Sequence, residues 1–315
     1  MYALSLRLRT EYRKLDWVFL NAGVLTTAGG GGVDYLQGVA DFFTCPVKAL
    51  TTPEFKLQTP GEVVLQDGGA RGGKVARVCG DGKVDETAGV GLIWCANVFG
   101  HYCLVRGVLG LLCNGSVRPG ERARVIWTSS LDGHERSLDP NDIQCVRGTE
   151  LYESSKRLTD VLALTWPGAG FLDADHIDGG REKDRLPRFY LTHPAICATN
   201  IAGQHPLIWY LMLAMFYIVR VVCGSPWHPI TAWKGNAANM FVAGQREAVL
   251  EGKGKVKWGS GGGRWGDERV RETRVEGLDE LGRVGGRMEE TARRCWGRME
   301  ELRKEWEGRL GLGVD

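Results

Sequence analysis

A tyrosine and a lysine four residues apart, Tyr152 and Lys156, are the residues of this chain best suited to acid–base chemistry. No Gly or Pro separates them, so the spacing predicts a helix on which the two side chains lie one turn apart on one face. A lysine ammonium held there would lower the pKa of the tyrosine from its usual value of about 10. Such a tyrosine can exchange a proton with a carbonyl–alcohol pair near neutral pH. Because similar pairs occur on solvated helix faces, their meaning depends on the neighbouring segments.

Three apolar segments around this pair end in small or polar residues. Leu15–Gly23 predicts a strand that runs into a small-residue turn, and Arg124–Ser130 predicts a buried strand that ends in two hydroxyls. Between these strands, Asn97 lies in a long apolar segment, and Arg188–Pro194 predicts a third strand stopped by proline. Each segment is unremarkable alone, but their order along the chain is specific.

These segments resemble the short-chain dehydrogenase/reductase family, and within it the fungal enzymes that reduce 3-keto sterols during sterol C-4 demethylation. The resemblance covers roughly residues 10–245. It rests on five segments, Asn97–Tyr102, Ile126–Ser130, Tyr152–Asp160, Thr192–Pro194 and Gly224–Ile230.

The resemblance implies an α/β fold with a Rossmann-like, doubly wound parallel sheet. We expect strands at 15–21, 123–128 and 188–193 to run parallel to one another. We expect helices 90–112 and 151–164 to pack on the same face of that sheet, because parallel crossover connections are right-handed.

In such a fold, the cofactor pyrophosphate lies at a helix N-terminus that follows the first strand and a glycine-rich turn. The resemblance places Leu15–Asn21 at the fourth strand, so the first strands and this glycine-rich loop would be missing. Ala28–Val33 does not replace the loop, because it follows the fourth strand and lacks the G-x-G-x-x-G spacing into a helix. We therefore expect an incomplete sheet, weak NADPH binding and impaired catalysis.

The resemblance also implies roles for individual residues. Tyr152 would protonate the 3-keto oxygen as hydride reaches the carbon, and Lys156 would bind the nicotinamide ribose. Ser130 would bind and polarise the carbonyl, with Ser129 as the alternative hydroxyl at the same strand end. Asn97 would hold a water in a proton relay to the lysine; the alternative is a helix asparagine that caps a kink.

The implied cofactor is NADPH, bound in part by the same tyrosine and lysine. Asn21 and Gly23 would line its adenine-ribose side, and Thr199 would reach the nicotinamide amide. The chain departs from the family where Ala195 follows Pro194, since relatives carry glycine there. A methyl group at that position would strain a turn with positive φ.

Other chemistries are disfavoured by the sequence. No His/Asp/Glu cluster has metal-ligand spacing, and we interpret His101 and His193 as structural. The Gly-x-Ser-x-Gly elbow of many hydrolases is absent from strand-to-helix junctions. The net charge of +2, without a basic stripe, argues against nucleic acid as a partner. Nine cysteines without C-x-x-C pairs predict structural thiols in a reducing compartment.

An apolar segment at Leu207–Val219 is too short to cross a bilayer, which needs about 20 residues. The resemblance implies a helix that covers a lipophilic sterol pocket and contacts a membrane peripherally, while plain core packing explains the segment's length equally well. It further implies a sterol ketone substrate and other enzymes of sterol C-4 demethylation as partners. The implied location is the cytoplasmic face of the endoplasmic reticulum or a lipid droplet.

The sequence predicts a partial reductase domain at 1–250 and a charged, Gly-rich helical tail at 251–315. In the tail, apolar residues recur in heptad steps at positions 288, 292, 295, 299, 302 and 306. We expect 263–310 to be largely helical, to contact the core little, and to leave this stripe partly exposed.

Three functional hypotheses follow. The first is NADPH-dependent reduction of a 3-keto sterol intermediate to the 3-hydroxy sterol in ergosterol biosynthesis. The second is a non-catalytic truncated remnant, or an incomplete gene model, that keeps the catalytic residues without the cofactor site. The third is a related short-chain reductase of another steroid or alcohol, because pocket shape decides the substrate.

Overall fold

The computed structural model describes residues 1–25, 35–53, 58, 60–65, 74–77, 89–166, 185–199 and 205–310. The strands are β1 (Trp17–Leu20), β2 (Glu62–Leu65), β3 (Lys74–Arg77), β4 (Gly89–Gly91), β5 (Arg124–Thr128), β6 (Arg188–His193), β7 (Lys257–Gly262) and β8 (Glu268–Thr273). The helices are α1 (Tyr2–Glu11), α2 (Tyr35–Thr44), α3 (Pro46–Thr51), α4 (Leu92–Trp94), α5 (Gly100–Gly107), α6 (Leu109–Cys113), α7 (Leu151–Thr165), α8 (Pro206–Val221), α9 (Ala232–Gly235), α10 (Ala237–Gly244), α11 (Glu247–Glu251) and α12 (Gly286–Arg309).

The central sheet has five strands in the order β1-β5-β6-β7-β8. The first four strands run parallel, and β8 pairs antiparallel with β7. The predicted parallel arrangement of the strands at 15–21, 123–128 and 188–193 is therefore confirmed. The fold is α/β with a mostly parallel sheet, which is compatible with a Rossmann-like fold.

Both faces of the inner strand β5 are covered, so all five of its residues are buried. Val125 and Trp127 face a large apolar core that includes Tyr102 of α5 and Leu158 of α7. Ile126 points to the opposite face and packs with residues of α10. This alternation follows from the period of two in a strand. It also confirms that the helices predicted at 90–112 and 151–164 lie on the same face, although residues 90 and 91 belong to β4 and the first helix is divided into α4, a π-helical segment, α5 and α6.

Residues 251–285, which precede α12, do not form the predicted helical tail. Lys257–Gly262 forms β7, an inner strand of the sheet, and Glu268–Thr273 forms β8 beside it. Glycines are required here by close packing: a methyl group at Gly259 would collide with the ring of His193. The expected helix over 263–310 is therefore wrong except for α12.

The expected exposure of the heptad stripe in α12 is also wrong. Its apolar residues are all buried in the same core as α5 and α7, because those helices present apolar outer faces for it to cover. The buried residues are Met288, Ala292, Cys295, Trp296, Met299, Leu302 and Trp306. A polar contact also joins α12 to the end of α7, where Trp296 Nε1 donates a hydrogen bond of 2.9 Å to Thr165 Oγ1.

The connection between β1 and α4 contains more structure than the sequence indicated. It carries α2 and α3, and strand β2 pairs with both β3 and β4 in a separate three-stranded antiparallel sheet. The glycine run Ala28–Val33 lies outside the described residues. So do most of 66–87 and residues 167–184 of the predicted polar loop 167–187.

The apolar segment predicted as a helix at Leu207–Val219 is confirmed as α8. Phe216 and Val219 pack against Leu50 of α3, but much of the remaining apolar surface of α8 faces solvent. Leu207 and Leu211 are 73% and 63% exposed. None of the helices in the described ranges combines the length and apolar character that a bilayer crossing requires.

Ala195 adopts a left-handed backbone conformation with φ of 54°, at the position where the sequence predicted strain. Left-handed backbone costs an alanine about 1–2 kcal/mol. Glycine avoids this cost, but it loses more conformational entropy on folding, so only part of the cost is regained. We therefore expect Ala195→Gly to raise the free energy of unfolding by about 0.5–1 kcal/mol. Urea denaturation measures the change. Ala248→Gly, in the exposed part of α11, should instead lower it by about 1 kcal/mol; equal effects of both changes would contradict the strain.

Candidate active site

Tyr152 and Lys156 lie together on α7, as their spacing predicted. Lys156 Nζ is 5.5 Å from the centroid of the Tyr152 ring. The same ammonium group donates a hydrogen bond of 3.1 Å to the carbonyl oxygen of Thr128, the last residue of β5. Lys156 is buried, with 6% of its surface exposed, so its charge acts in a medium of low dielectric constant.

The first turn of α7 is fixed by a residue that the sequence analysis missed. Gln58 Oε1 accepts a hydrogen bond of 2.6 Å from the Tyr152 amide, and Gln58 Nε2 donates to the Glu153 carboxylate. The glutamine therefore satisfies an amide that the helix leaves unpaired at its N-terminus. A single glutamine in an irregular connection carries no sequence signal for this role.

Burial sets the protonation of the groups around Lys156. Desolvation lowers the pKa of Lys156 to about 8, while the carboxylate of Asp160 raises it and the ammonium of Lys257 lowers it further. Burial, with a smaller contribution from the Lys156 charge, lowers the pKa of His101 to about 4. His101 is therefore neutral near pH 7, and its ring packs edge-on against Trp127.

The two serines after β5 have different environments. Ser129 is buried, and its Oγ donates to Asp160 Oδ1 at 2.5 Å. Ser130 is only half-buried, and its Oγ accepts a hydrogen bond of 3.2 Å from the Asp132 amide. Because that bond uses a lone pair, the Ser130 hydroxyl keeps its proton available for donation. Of the two, Ser130 is therefore the better candidate for a carbonyl ligand.

Asn97 lies in a π-helical segment, Cys95–Phe99, between α4 and α5. Its Oδ1 accepts from the Val24 amide at 2.7 Å, and its Nδ2 donates to the Val24 carbonyl and to Ser155 Oγ, both at 3.1 Å. Asn97 thus ties the chain after β1 to α7. Single π turns inside helices are frequent at functional sites.

The residues predicted to bind the cofactor lie at the strand ends where a dinucleotide would be bound in such a sheet. Ligands of open α/β sheets bind at the carboxyl ends of the strands, where Asn21 and Gly23 are exposed after β1 and Thr199 is exposed after β6. A methyl group at Gly23 would lie 3.1 Å from Asn97 Oδ1 and 3.8 Å from Lys156 Nζ, so the glycine lets the chain after β1 approach both side chains. The buried Thr128 hydroxyl has no hydrogen-bond partner among the described residues.

A cavity of about 530 Å³ lies beside the first turn of α7. Its lining is mainly polar and charged, and includes Gln58, Asp132, Glu153 and Thr52. The opposite side of α3 contributes Leu50 to the apolar cluster beneath α8. Helix α3 therefore borders the polar cavity through Lys48 and the apolar cluster through Leu50.

Two further charged residues were missed by the sequence analysis. Asp160 follows Lys156 by one helical turn, and Lys257 comes from β7, inside the segment interpreted as a tail. Lys257 Nζ lies 2.6 Å from Asp160 Oδ2. His193, also beside β7, bonds to Thr273 Oγ1 at 2.8 Å and accepts from the Ala195 amide, contacts that give it a structural role. Within the described part of the chain, no group of three His, Cys, Asp or Glu side chains is placed to hold a metal ion.

No family model matches this chain. It is, however, 35% identical to the 3-keto-steroid reductase of Aspergillus fumigatus, over 97% of this chain and 74% of the relative. It is 30% identical to that of Gibberella zeae, over 95% of this chain and 68% of the relative. It is 32% identical to that of Schizosaccharomyces pombe, over 85% of this chain and 65% of the relative.

Similarity over 97% of the chain extends well into residues 251–315, so the predicted limit of the resemblance near residue 245 is wrong. The chain belongs to the 3-keto-steroid reductase family.

Proposed function

We propose that this protein catalyses the NADPH-dependent reduction of a 3-keto sterol to the 3-hydroxy sterol in ergosterol biosynthesis. The observation that carries the proposal is the pairing of Tyr152 with a buried Lys156 ammonium at the carboxyl ends of β1 and β5. The relatives are all named 3-keto-steroid reductases, which supports the substrate class.

In the proposed mechanism, the Tyr152 hydroxyl donates its proton to the substrate carbonyl oxygen. The phenolate that forms is stabilised by the nearby Lys156 ammonium group, which stays protonated below a pKa of about 8. Ser130 donates a hydrogen bond to the same carbonyl oxygen and polarises it. NADPH, when bound, supplies the hydride.

The remaining residues position the cofactor and return the proton. Lys156 would bind the nicotinamide ribose. Asn21 and Gly23 would line the adenine-ribose side, and Thr199 would reach the nicotinamide amide. Asn97 would hold a water next to Lys156, through which the phenolate regains a proton.

We further propose a peripheral contact between α8 and a membrane at the endoplasmic reticulum or a lipid droplet. The support is the exposed apolar surface of α8, which includes Leu207, Tyr210 and Leu211. Exposed apolar patches commonly mark membrane or protein interaction sites. A position there would bring the enzyme close to its lipophilic substrate and to other enzymes of sterol C-4 demethylation.

An activity assay with three ketones tests the proposal. Purified protein is incubated with a 3-keto sterol, a 17-keto steroid or a small cyclic ketone, each with NADPH or NADH, and the alcohol is quantified by mass spectrometry. We expect the 3-hydroxy sterol with NADPH to be the main product, since the chain keeps the acid, its lysine and the carbonyl ligand, and we expect the impaired rate that the sequence analysis predicts.

Each other result has a defined meaning. Preference for another ketone favours the hypothesis of a related reductase. No product from a chain that unfolds cooperatively on heating favours the non-catalytic hypothesis and overturns the proposed function. Tyr12→Phe is a matched control, because Tyr12 is half-exposed outside the site and its change should leave the rate unaltered.

A further inference from the structure

A buried ion pair lies directly behind the catalytic residues. Asp160 of α7 is fully buried, and Lys257 of β7 is 3% exposed. Their charged atoms, Oδ2 and Nζ, are 2.6 Å apart. The pair joins the helix that carries Tyr152 and Lys156 to the fourth parallel strand of the sheet.

The pair holds both serines that follow β5. Lys257 Nζ donates a hydrogen bond of 2.8 Å to the carbonyl oxygen of Ser130. Asp160 Oδ1 accepts a hydrogen bond of 2.5 Å from Ser129 Oγ. A methyl group at Gly133 would approach Asp160 Oδ2 to 2.7 Å and Lys257 Nζ to 3.3 Å, so the loop after the serines also packs onto the pair.

Stability alone does not explain such a pair. Taking two charges out of water is costly, and apolar residues of similar volume often stabilise a fold equally well or better. Loss of one partner, in contrast, leaves an uncompensated buried charge. The contacts of the pair with Ser129, Ser130 and Gly133 offer a functional reason for its presence.

The charge of the pair also reaches Lys156. The titratable groups around Lys156 are Tyr152 and Asp160 on α7, Lys257 on β7 and His101 on α5. Asp160 favours the protonated form of Lys156, and Lys257 opposes it. His101 is neutral near pH 7, because burial lowers its pKa to about 4.

We propose that Asp160 and Lys257 are positioning residues for ketone reduction: they hold Ser130 in place for the substrate carbonyl and balance the charge of Lys156. This inference rests on the proposed function for its catalytic consequence. Its structural part, the restraint of Ser130, stands on the contacts of the pair alone.

Three variants test the inference: Asp160→Asn, Lys257→Met and the double variant. In the double variant neither charge is left uncompensated, so we expect its urea midpoint to lie close to the wild-type value. Its kcat should still fall about 10- to 100-fold, because a misplaced Ser130 loses alignment with the carbonyl. The control is Glu247→Gln with Arg188→Met, which removes an ion pair of 2.7 Å between β6 and α11 away from the serines, together with the contacts of these two residues to Arg122 and Glu251.

The pH profiles of the single variants give a readout that a purely structural role would not move. Asp160→Asn removes the group that raises the Lys156 pKa, so the alkaline limit of kcat should shift to lower pH. Lys257→Met removes the opposing cation, so that limit should shift to higher pH. Shifts in the same direction would overturn the electrostatic part of the inference.

Hydrogen exchange of the Asp132 amide separates this inference from the proposed function. That amide donates to Ser130 Oγ, so its protection reports whether Ser130 is held in place. We expect at least about tenfold faster exchange in Lys257→Met and in the double variant, with the control unchanged. Wild-type kcat and protection in the double variant would overturn the positioning role. If the wild type reduces no ketone, yet the variants show this faster exchange, only the proposed function is defeated.

Discussion

A chain truncated after Gly285 is expected to lose cooperative folding. Helix α12 buries five large apolar side chains in the core that α5 and α7 share with the sheet: Met288, Trp296, Met299, Leu302 and Trp306. Full burial of each such side chain is worth about 1.5–3 kcal/mol. Their sum is similar to the whole stability of an ordinary domain, about 5–15 kcal/mol. Truncation would also expose the apolar outer faces of α5 and α7 to water.

Circular dichroism during heating and size-exclusion chromatography measure the effect. We expect the truncated chain to aggregate or to melt without a sharp transition, whereas a chain ending at Leu310 should behave like the full one. Trp296→Ala should lower the free energy of unfolding by about 3–5 kcal/mol. Arg293→Ala, on the exposed side of α12, should change it by less than about 0.5 kcal/mol. A truncated chain with an unaltered melting temperature would show that α12 is an appendage.

The sequence pattern of α12 predicted a helix with one apolar stripe, and that part is confirmed. The pattern could not show what the stripe packs against, because the partner faces on α5 and α7 are more than a hundred residues away in sequence. The glycine-rich composition of Gly259–Gly262 added to the error, because it favoured a tail over a strand. In the structure, Gly259 allows β7 to pass close to His193.

Part of the candidate site could likewise be predicted from the sequence, and part could not. Tyr152 and Lys156 could be predicted because helical spacing alone brings them together, and the strand ends at Gly23 and Ser130 because short apolar runs stop there. Gln58 and Lys257 could not, because each reaches the site from a segment without a recognisable periodicity. Contacts made by single polar residues across the fold leave almost no trace in a single sequence.

Lys156→Met is expected to lower activity and raise stability at the same time. Loss of the ammonium removes the charge that stabilises the Tyr152 phenolate, so kcat for ketone reduction should fall about 10²- to 10⁴-fold. Tyr152→Phe should cause a loss of similar size, because it removes the proton itself. The two changes together should cost little more than either alone, since both abolish the same proton transfer.

The stability gain follows from the pKa of Lys156, which burial lowers from 10.5 to about 8. Below pH 8 the folded chain holds a cation that its surroundings disfavour, at a cost of up to about 3 kcal/mol for this shift. Methionine avoids that cost but forfeits the hydrogen bond to Thr128, worth about 1 kcal/mol. We therefore expect a net gain of about 2 kcal/mol near pH 7.

The sign of the pH dependence provides the sharpest check. Between about pH 8 and 10.5 the folded chain loses the Lys156 proton before the unfolded chain does, so the wild type becomes more stable relative to the variant. Urea midpoints measured from pH 6 to 10 should thus converge as pH rises. Lys253→Met, at a half-exposed lysine, should show neither effect. If Lys156→Met is less stable than the wild type at pH 7, Lys156 contributes to the stability of the fold. The expected gain in stability would instead identify Lys156 as a residue that serves the chemistry and destabilises the fold.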